Sequence, residues 1–254
     1  MSNQEFIDEL DAMIAERRKM TSPLYQTILG GKATQRLLQG FAIHRWPIKN
    51  LWVRHLLGVA HRLEDHRMRV LFVENAFEEE TGRLSDSRRH VESFADFARS
   101  VGVTREELEN TPFLPETQEL HDNNLRLCNS DLHFTAGAAG VLLLMEGQPP
   151  IVNAAGESML KVMRDEYLLP DWGYDFFVHH ASSDASEAAV SELEDEHSAA
   201  VRTILREFCT TPELRDLART SLAHSIELRH RHFDALMRDY YDPSEPVFRY
   251  QGEQ

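Results

Sequence analysis

Cysteine is scarce in this chain: there are two, Cys128 and Cys209, in 254 residues. Two cysteines build neither a disulfide framework nor a zinc finger, and the cytoplasm is the expected compartment. Glycine is sparse as well, and no strand or hairpin signal emerges along the chain. Long apolar runs are missing; none approaches the roughly 20 residues that span a bilayer. The opening segment, Met1 to Leu10, has neither a basic region nor an apolar core, so no signal peptide is expected. An excess of basic residues is absent too. Lys and Arg total 27 against 42 Asp and Glu, a formal net charge of −15. An acidic surface argues against nucleic acid and against an anionic membrane as partners.

What is present is helical periodicity. It predicts helices over 4–19, 33–61, 65–81, 87–101, 104–110, 116–147, 151–168, 173–208 and 211–240. Pro47 falls inside the second and is expected to kink it. Thr104 with Glu107 forms a capping box, and Thr211 ahead of Pro212 places a cap before a proline at the first helical position. Pro149-Pro150 closes one long helix, and Leu169-Pro170-Asp171 separates two others. The expected fold is all-α, a single domain over 1–241 with helices around a central cavity, followed by an extended tail over 242–254.

The chemistry concentrates in three segments. In the first, His180, Asp184 and Glu187 recur at i, i+4 and i+7, in a narrow stripe of one helix face. The run before them, Trp172 to Val178, is aromatic and apolar, which marks the stripe as more than a solvated face. In the second, Glu80 precedes Gly82 and a Ser-Asp-Ser stretch, with His90 beyond. A break there would let both residues face one cavity; Glu78 to Glu80 also read as a solvated acidic turn, and His90 as a surface histidine. In the third, Glu146 ends an apolar helix, where an unpaired carboxylate is costly to bury. It reads equally as a residue just reaching solvent. Together Glu80, His90, Glu146, His180, Asp184 and Glu187 supply two imidazoles and four carboxylates. Such a set can hold two divalent metals, and its donors suit iron or manganese better than thiolate-seeking metals.

Three motifs carry a family resemblance: Asn75…Glu79-Glu80-Thr81-Gly82…His90, then Met145-Glu146-Gly147-Gln148-Pro149-Pro150, then Phe176-Phe177-Val178-His179-His180-Ala181-Ser182-Ser183-Asp184. On these the chain, from Tyr25 to Tyr240, resembles the haem-oxygenase-like di-iron oxidases and oxygenases, relatives of pyrroloquinoline quinone synthase and the thiaminase-II (TenA) proteins. The resemblance implies a haem-oxygenase-like helical bundle. It also implies Glu80, His90, Glu146, His180 and Asp184 as iron ligands, two Fe²⁺ per chain, and O₂ as co-substrate. The substrate would be a small metabolite such as an amino acid, an amine or a fatty acid, and the pathway biosynthetic. A homodimer and an electron donor are the partners it implies. One departure stands out: Glu187 occupies a position where the family has histidine, giving a more carboxylate-rich site or a degenerate one.

Other residues complete the expectation. Arg45 and Lys49, one turn apart, are candidates to bind a substrate carboxylate; they read equally as a charged face beside Trp52. His55 and His61 read as cavity-lining residues or, more simply, as surface residues. Cys128 is a thiaminase-type nucleophile in one reading and a packing residue in another. Arg229, His230, Arg231 and His232 read as a solvated face or a helix–helix contact. The rival functions are a metal-free oxidase or thiaminase-like hydrolase on the same fold, and a non-enzymatic binding protein.

Overall fold

The computed structural model describes residues 2–84, 86–146, 158–178 and 188–252, with side chains for all of these except 188–196. Every element among them is helical, and an isolated β bridge joins Thr34 to Val247. Helix α1 (Asn3–Glu16) starts at a capping box. Ser2 Oγ accepts from the Glu5 N–H, and the Glu5 carboxylate accepts from the Ser2 N–H. A 3₁₀ turn (Lys19–Thr21) leads into α2 (Pro23–Leu29), which opens with Ser22 as cap and Pro23 at the first helical position. That Ser-Pro pair is the start signal for a helix the periodicity did not predict.

The predicted helix over 33–61 is two helices, α3 (Gln35–Asn50) and α4 (Trp52–Ala60), parted at Leu51. Pro47 has no N–H to give to the preceding turn, and the chain gives way one turn later rather than at the proline itself. Helices α5 (His66–Thr81), α6 (His90–Ser100) and α7 (Arg105–Asn110) follow, the last capped by the predicted Thr104–Glu107 box.

The predicted helix over 116–147 is also divided. It runs as α8 (Pro115–Asn129), then α9 (Thr135–Gly137), a π-helical segment (Ala138–Leu143) and α10 (Leu144–Glu146). The break has a physical holder in Arg62. Its guanidinium donates to the carbonyls of Gly58, Cys128, Ser130 and Leu132, so the end of α8 is satisfied without continuing the helix. The chain continues as α11 (Met159–Asp165), α12 (Asp171–Val178), α13 (Ala188–Phe208) and α14 (Pro212–Tyr240).

Helix α14 is the spine, packing on α2, α3, α8 and the π segment. The close approach of the π segment needs Gly140, where a Cβ would stand 2.7 Å from Leu127 Cδ1 and 3.0 Å from the Ser221 carbonyl. The core has two halves. One is mainly aliphatic, with Leu10, Leu56, Leu142, Leu205 and Leu222 around Phe72. The other is aromatic, with Trp46, Phe94, Phe97, Phe176, Phe177 and Phe233. After α14 the tail turns back: the Phe248 N–H donates to the Ala33 carbonyl and the Tyr250 N–H to the Tyr167 carbonyl. Among the described residues no helix is long and apolar enough to cross a membrane.

Candidate metal centre

The site begins with the phase of α5. Phe72, Asn75 and Ala76 are buried and fix its inner face. At 100° per residue, Glu79 falls about 20° round from Phe72, and Glu80 about 80°. The structure follows that phase. Glu79 Oε2 lies 3.0 Å from His90 Nδ1, whereas Glu80 turns outward, its side chain 49% exposed and 2.8 Å from Arg89 Nη2. The residue brought to His90 is therefore Glu79, not the neighbouring Glu80 that the motif singled out. Glu78 is buried as well, and it holds the backbone of the turn: its Oε2 accepts the Leu84 N–H at 2.6 Å, while Oε1 stands 3.7 Å from His90 Nε2.

The predicted break at Gly82 is what returns His90 to α5. Gly82 caps α5 with φ +66°, its N–H donates to the Glu78 carbonyl, and its own carbonyl accepts from the Ser87 N–H. A Cβ there would stand 2.5 Å from the Ser87 carbonyl oxygen and 2.6 Å from that of Arg88, so only glycine fits. His90 is the first residue of α6 and lies against the turn. Glu146, the last residue of α10, is tied to the same face of α5, with Asn75 Nδ2 donating to its Oε1 at 3.5 Å.

The electrostatics of His90 reflect these neighbours. Burial pulls its pKa down, but the Glu79 hydrogen bond and the charges of Glu79 and Glu78 outweigh it, so the imidazolium is favoured; Lys49 opposes them. Lys49 Nζ sits 4.8 Å from the centroid of the Phe176 ring. Lys49 thus joins α3 to the aromatic wall of α12, whose Asp175 accepts the Ser93 hydroxyl of α6 at 2.8 Å. Arg45, one turn before Lys49, is buried rather than part of a solvated face.

His180, Asp184 and Glu187 lie outside the described residues. Among the described ones no group of three or more His, Cys, Asp and Glu is arranged to hold a metal ion. The donors that are described, the carboxylates of Glu79 and Glu146 and the imidazole of His90, are of the kind that suits iron. By their chemistry they fit half of a carboxylate-rich centre.

Burial decides between the alternatives that the sequence left open for two groups. His55 is fully buried, not a surface residue, whereas His61 is exposed. Of the basic cluster in α14, Arg231 is exposed and paired with Glu119 at 2.7 Å, but Arg229, His230 and His232 are buried. The signal lay in the spacing, since Arg229 sits in phase with the buried Leu222, Ile226, Phe233 and Leu236. Cys128 is packed in the core, and burial pushes its thiol up to about 12, the opposite of what a nucleophile requires.

With the geometry in place, comparison with known proteins is decisive on the family. The pattern that defines a family of iron-containing redox enzymes matches residues 39–230. The chain belongs to this family. As a member it is an oxidoreductase, and iron is the metal the family carries. A relative in Chlamydia pneumoniae, named 4-aminobenzoate synthase, is 27% identical over 184 residues, covering 72% of this chain and 78% of the relative. Among solved structures, a TenA homologue from Pseudomonas syringae pv. tomato superposes with a TM-score of 0.68 at 15% identity, over 92% of each chain. A domain with a heme oxygenase-like fold from Shewanella denitrificans gives a TM-score of 0.59 at 19% identity, over 93% of this chain and 90% of that one. These two likenesses carry the fold, the all-α haem-oxygenase-like bundle expected from the sequence.

Proposed function

We propose that this enzyme is an iron- and O₂-dependent oxidase or oxygenase that acts on a small metabolite in a biosynthetic pathway, with two irons per chain. The observations that carry the reading are the pairing of Glu79 with His90 across the Gly82 turn and the hold of Asn75 on Glu146, inside a chain of the iron-containing redox family. The proposed ligands are these three with His180, Asp184 and Glu187. Glu80 keeps its place in the sequence motif, but the geometry favours Glu79. Bound iron would supply O₂ activation.

The protein's own residues supply the rest. Asn75 orients the Glu146 carboxylate by an N–H donor, as groups behind metal ligands do. Gly82 holds the turn that sets His90 against Glu79. Arg45 and Lys49 present positive charge from α3 and would bind and orient an acidic substrate, and the Phe94, Phe176 and Phe177 wall would exclude water. The name of the chlamydial relatives makes formation of 4-aminobenzoate the specific outcome to test first. The buried Cys128 thiol, its pKa pushed up by burial, argues against a nucleophilic role for it in the thiaminase-like hydrolase reading.

The test is an anaerobic Fe²⁺ titration of metal-stripped protein, followed by O₂ and mass-spectrometric analysis of products, and by complementation of a 4-aminobenzoate auxotroph. The expected result is saturation near two irons per chain and iron-dependent O₂ consumption. Absence of iron binding would overturn the reading; iron binding with O₂ uptake but no complementation would redirect only the substrate.

A further inference from the structure

Two arginines are buried, and among the described residues no acid pairs with either. Arg229 in α14 is 3% exposed and Arg45 in α3 is 6% exposed. Arg229 Nη2 donates to the Arg17 carbonyl at 2.7 Å, but its Nε and Nη1 have no hydrogen-bond partner among the described residues. Its surroundings do not favour the charge. Burial foremost pulls its pKa down to about 10; Arg45 and Arg17 repel it, and the Tyr25 phenol is the one group that opposes them. A buried guanidinium left with open donors and a second cation for a neighbour is a costly arrangement.

The two histidines beside them cannot share the burden as anions or as acceptors of much charge. His232 is fully buried, its Nδ1 lies 3.0 Å from Thr117 Oγ1, and its Nε2 has no partner among the described residues. His44 is fully buried too, with Nε2 2.8 Å from the Tyr240 hydroxyl and Nδ1 unpartnered among the described residues. Burial and the Arg45 charge keep His232 neutral. Thr117 Oγ1 engages Nδ1, and the tautomer in which the hydroxyl donates places the ring proton on Nε2. Two guanidinium groups, one with two open donors, and an unpartnered imidazole nitrogen therefore share one buried region between α3 and α14, and among the described residues no anion answers them.

We infer that Arg45 and Arg229, aided by His232 Nε2, bind the carboxylate of a small organic acid. Planar, forked guanidinium donors match a carboxylate's two oxygens, and its charge answers both cations at once. Arg45 is one helical turn, about 6 Å, from Lys49. An acid anchored by its carboxylate would extend toward Lys49 and Phe176, on the His90 side of α3. That this acid is the substrate rests on the function proposed above; that it binds does not.

The experiment uses the full-length, metal-stripped protein, so its outcome is independent of iron and O₂. Thermal unfolding is followed with acetate, benzoate, acetamide, benzamide and chloride at matched ionic strength. At least one of the two carboxylates is expected to raise Tm saturably, by about 5 °C or more near a hundredfold excess over its Kd, while its amide does not. The Arg229→Met protein is expected to keep or gain Tm without ligand, because an uncompensated buried charge is gone, and to lose the carboxylate response at least tenfold in Kd. A purely structural Arg229 would instead lower the unliganded Tm and leave the response intact, overturning the inference. Should that variant not fold, Arg45→Met and the wild-type titration decide. No response to either carboxylate, an equal response to the amide, or the same response to chloride would each overturn it.

Discussion

Glu79 Oε2 stands 3.0 Å from His90 Nδ1, across the turn that joins α5 to α6, and Glu80 beside it points the other way. Adjacent residues on a helix differ by 100°, so a run of three glutamates places one on the site, one under the turn and one in solvent. Glu79→Gln is expected to weaken iron binding at least tenfold, as loss of an anionic donor does, while Glu80→Gln leaves it within about twofold. Metal analysis of both variants after Fe²⁺ loading separates the two; the opposite ranking would return the ligand role to Glu80.

Gly82 makes that contact attainable. Gly82→Ala must accommodate a Cβ within 2.6 Å of two carbonyl oxygens at a φ of +66°. Strain and clash together are expected to cost about 2 kcal/mol or more, lowering Tm by roughly 4–8 °C. Because the turn carries His90, iron affinity should fall with stability. A variant with wild-type Tm and iron content would show that the site does not depend on this turn.

The helical class, the caps at Thr104 and Thr211 and the break at Gly82 are legible in the sequence, because each is decided by local chemistry. The interior breaks are not. Arg62 ends α8 by reaching carbonyls from Cys128 to Leu132, a contact from a different helix that no local pattern encodes. Leu51 parts α3 from α4 a full turn beyond the proline that weakens the helix. For the site, the residue types are legible and their phase is harder to read: the motif beside Gly82 points to Glu80, while the buried Phe72 and Asn75 of the same helix point to Glu79. Arg229 reads as solvated when charge is weighed above its place in an apolar stripe, and the stripe prevails.

Tyr167 locks the start of the chain to the region after α11. Its hydroxyl donates to the Ile28 carbonyl at 2.7 Å and accepts the Ala33 N–H at 3.0 Å, fully buried. Tyr167→Phe keeps the ring and strands the Ala33 N–H, while the Ile28 carbonyl loses one of its two donors and keeps the Gly31 N–H. The expected loss is about 1–3 kcal/mol, the cost of leaving a buried polar group unsatisfied, with iron binding unchanged. Urea unfolding compared with wild type measures it; a shift under about 0.5 kcal/mol, on the order of an ordinary surface substitution, would mean that water replaces the hydroxyl.

His55 makes stability depend on acid. It is fully buried in α4, and neither ring nitrogen has a partner among the described residues. Burial first, then repulsion from His121 and Arg54, lowers its pKa from 6.5 to about 4. Between those values the unfolded chain binds a proton that the folded chain refuses. Stability is therefore complete above about pH 6.5 and drains away as pH falls toward 4, with about 2 kcal/mol from this residue lost by pH 5. His55→Leu removes the titrating group and the unmet nitrogens while keeping an apolar side chain of similar size. It should match or exceed wild-type stability at pH 7.5 and lose less on acidification. Urea midpoints of both proteins at pH 7.5 and pH 5.0 give the comparison. His44 titrates over the same range and remains in both proteins, so the difference between the two pH slopes belongs to His55. Equal slopes would show that this histidine takes up its proton in the folded state as readily as in the unfolded one.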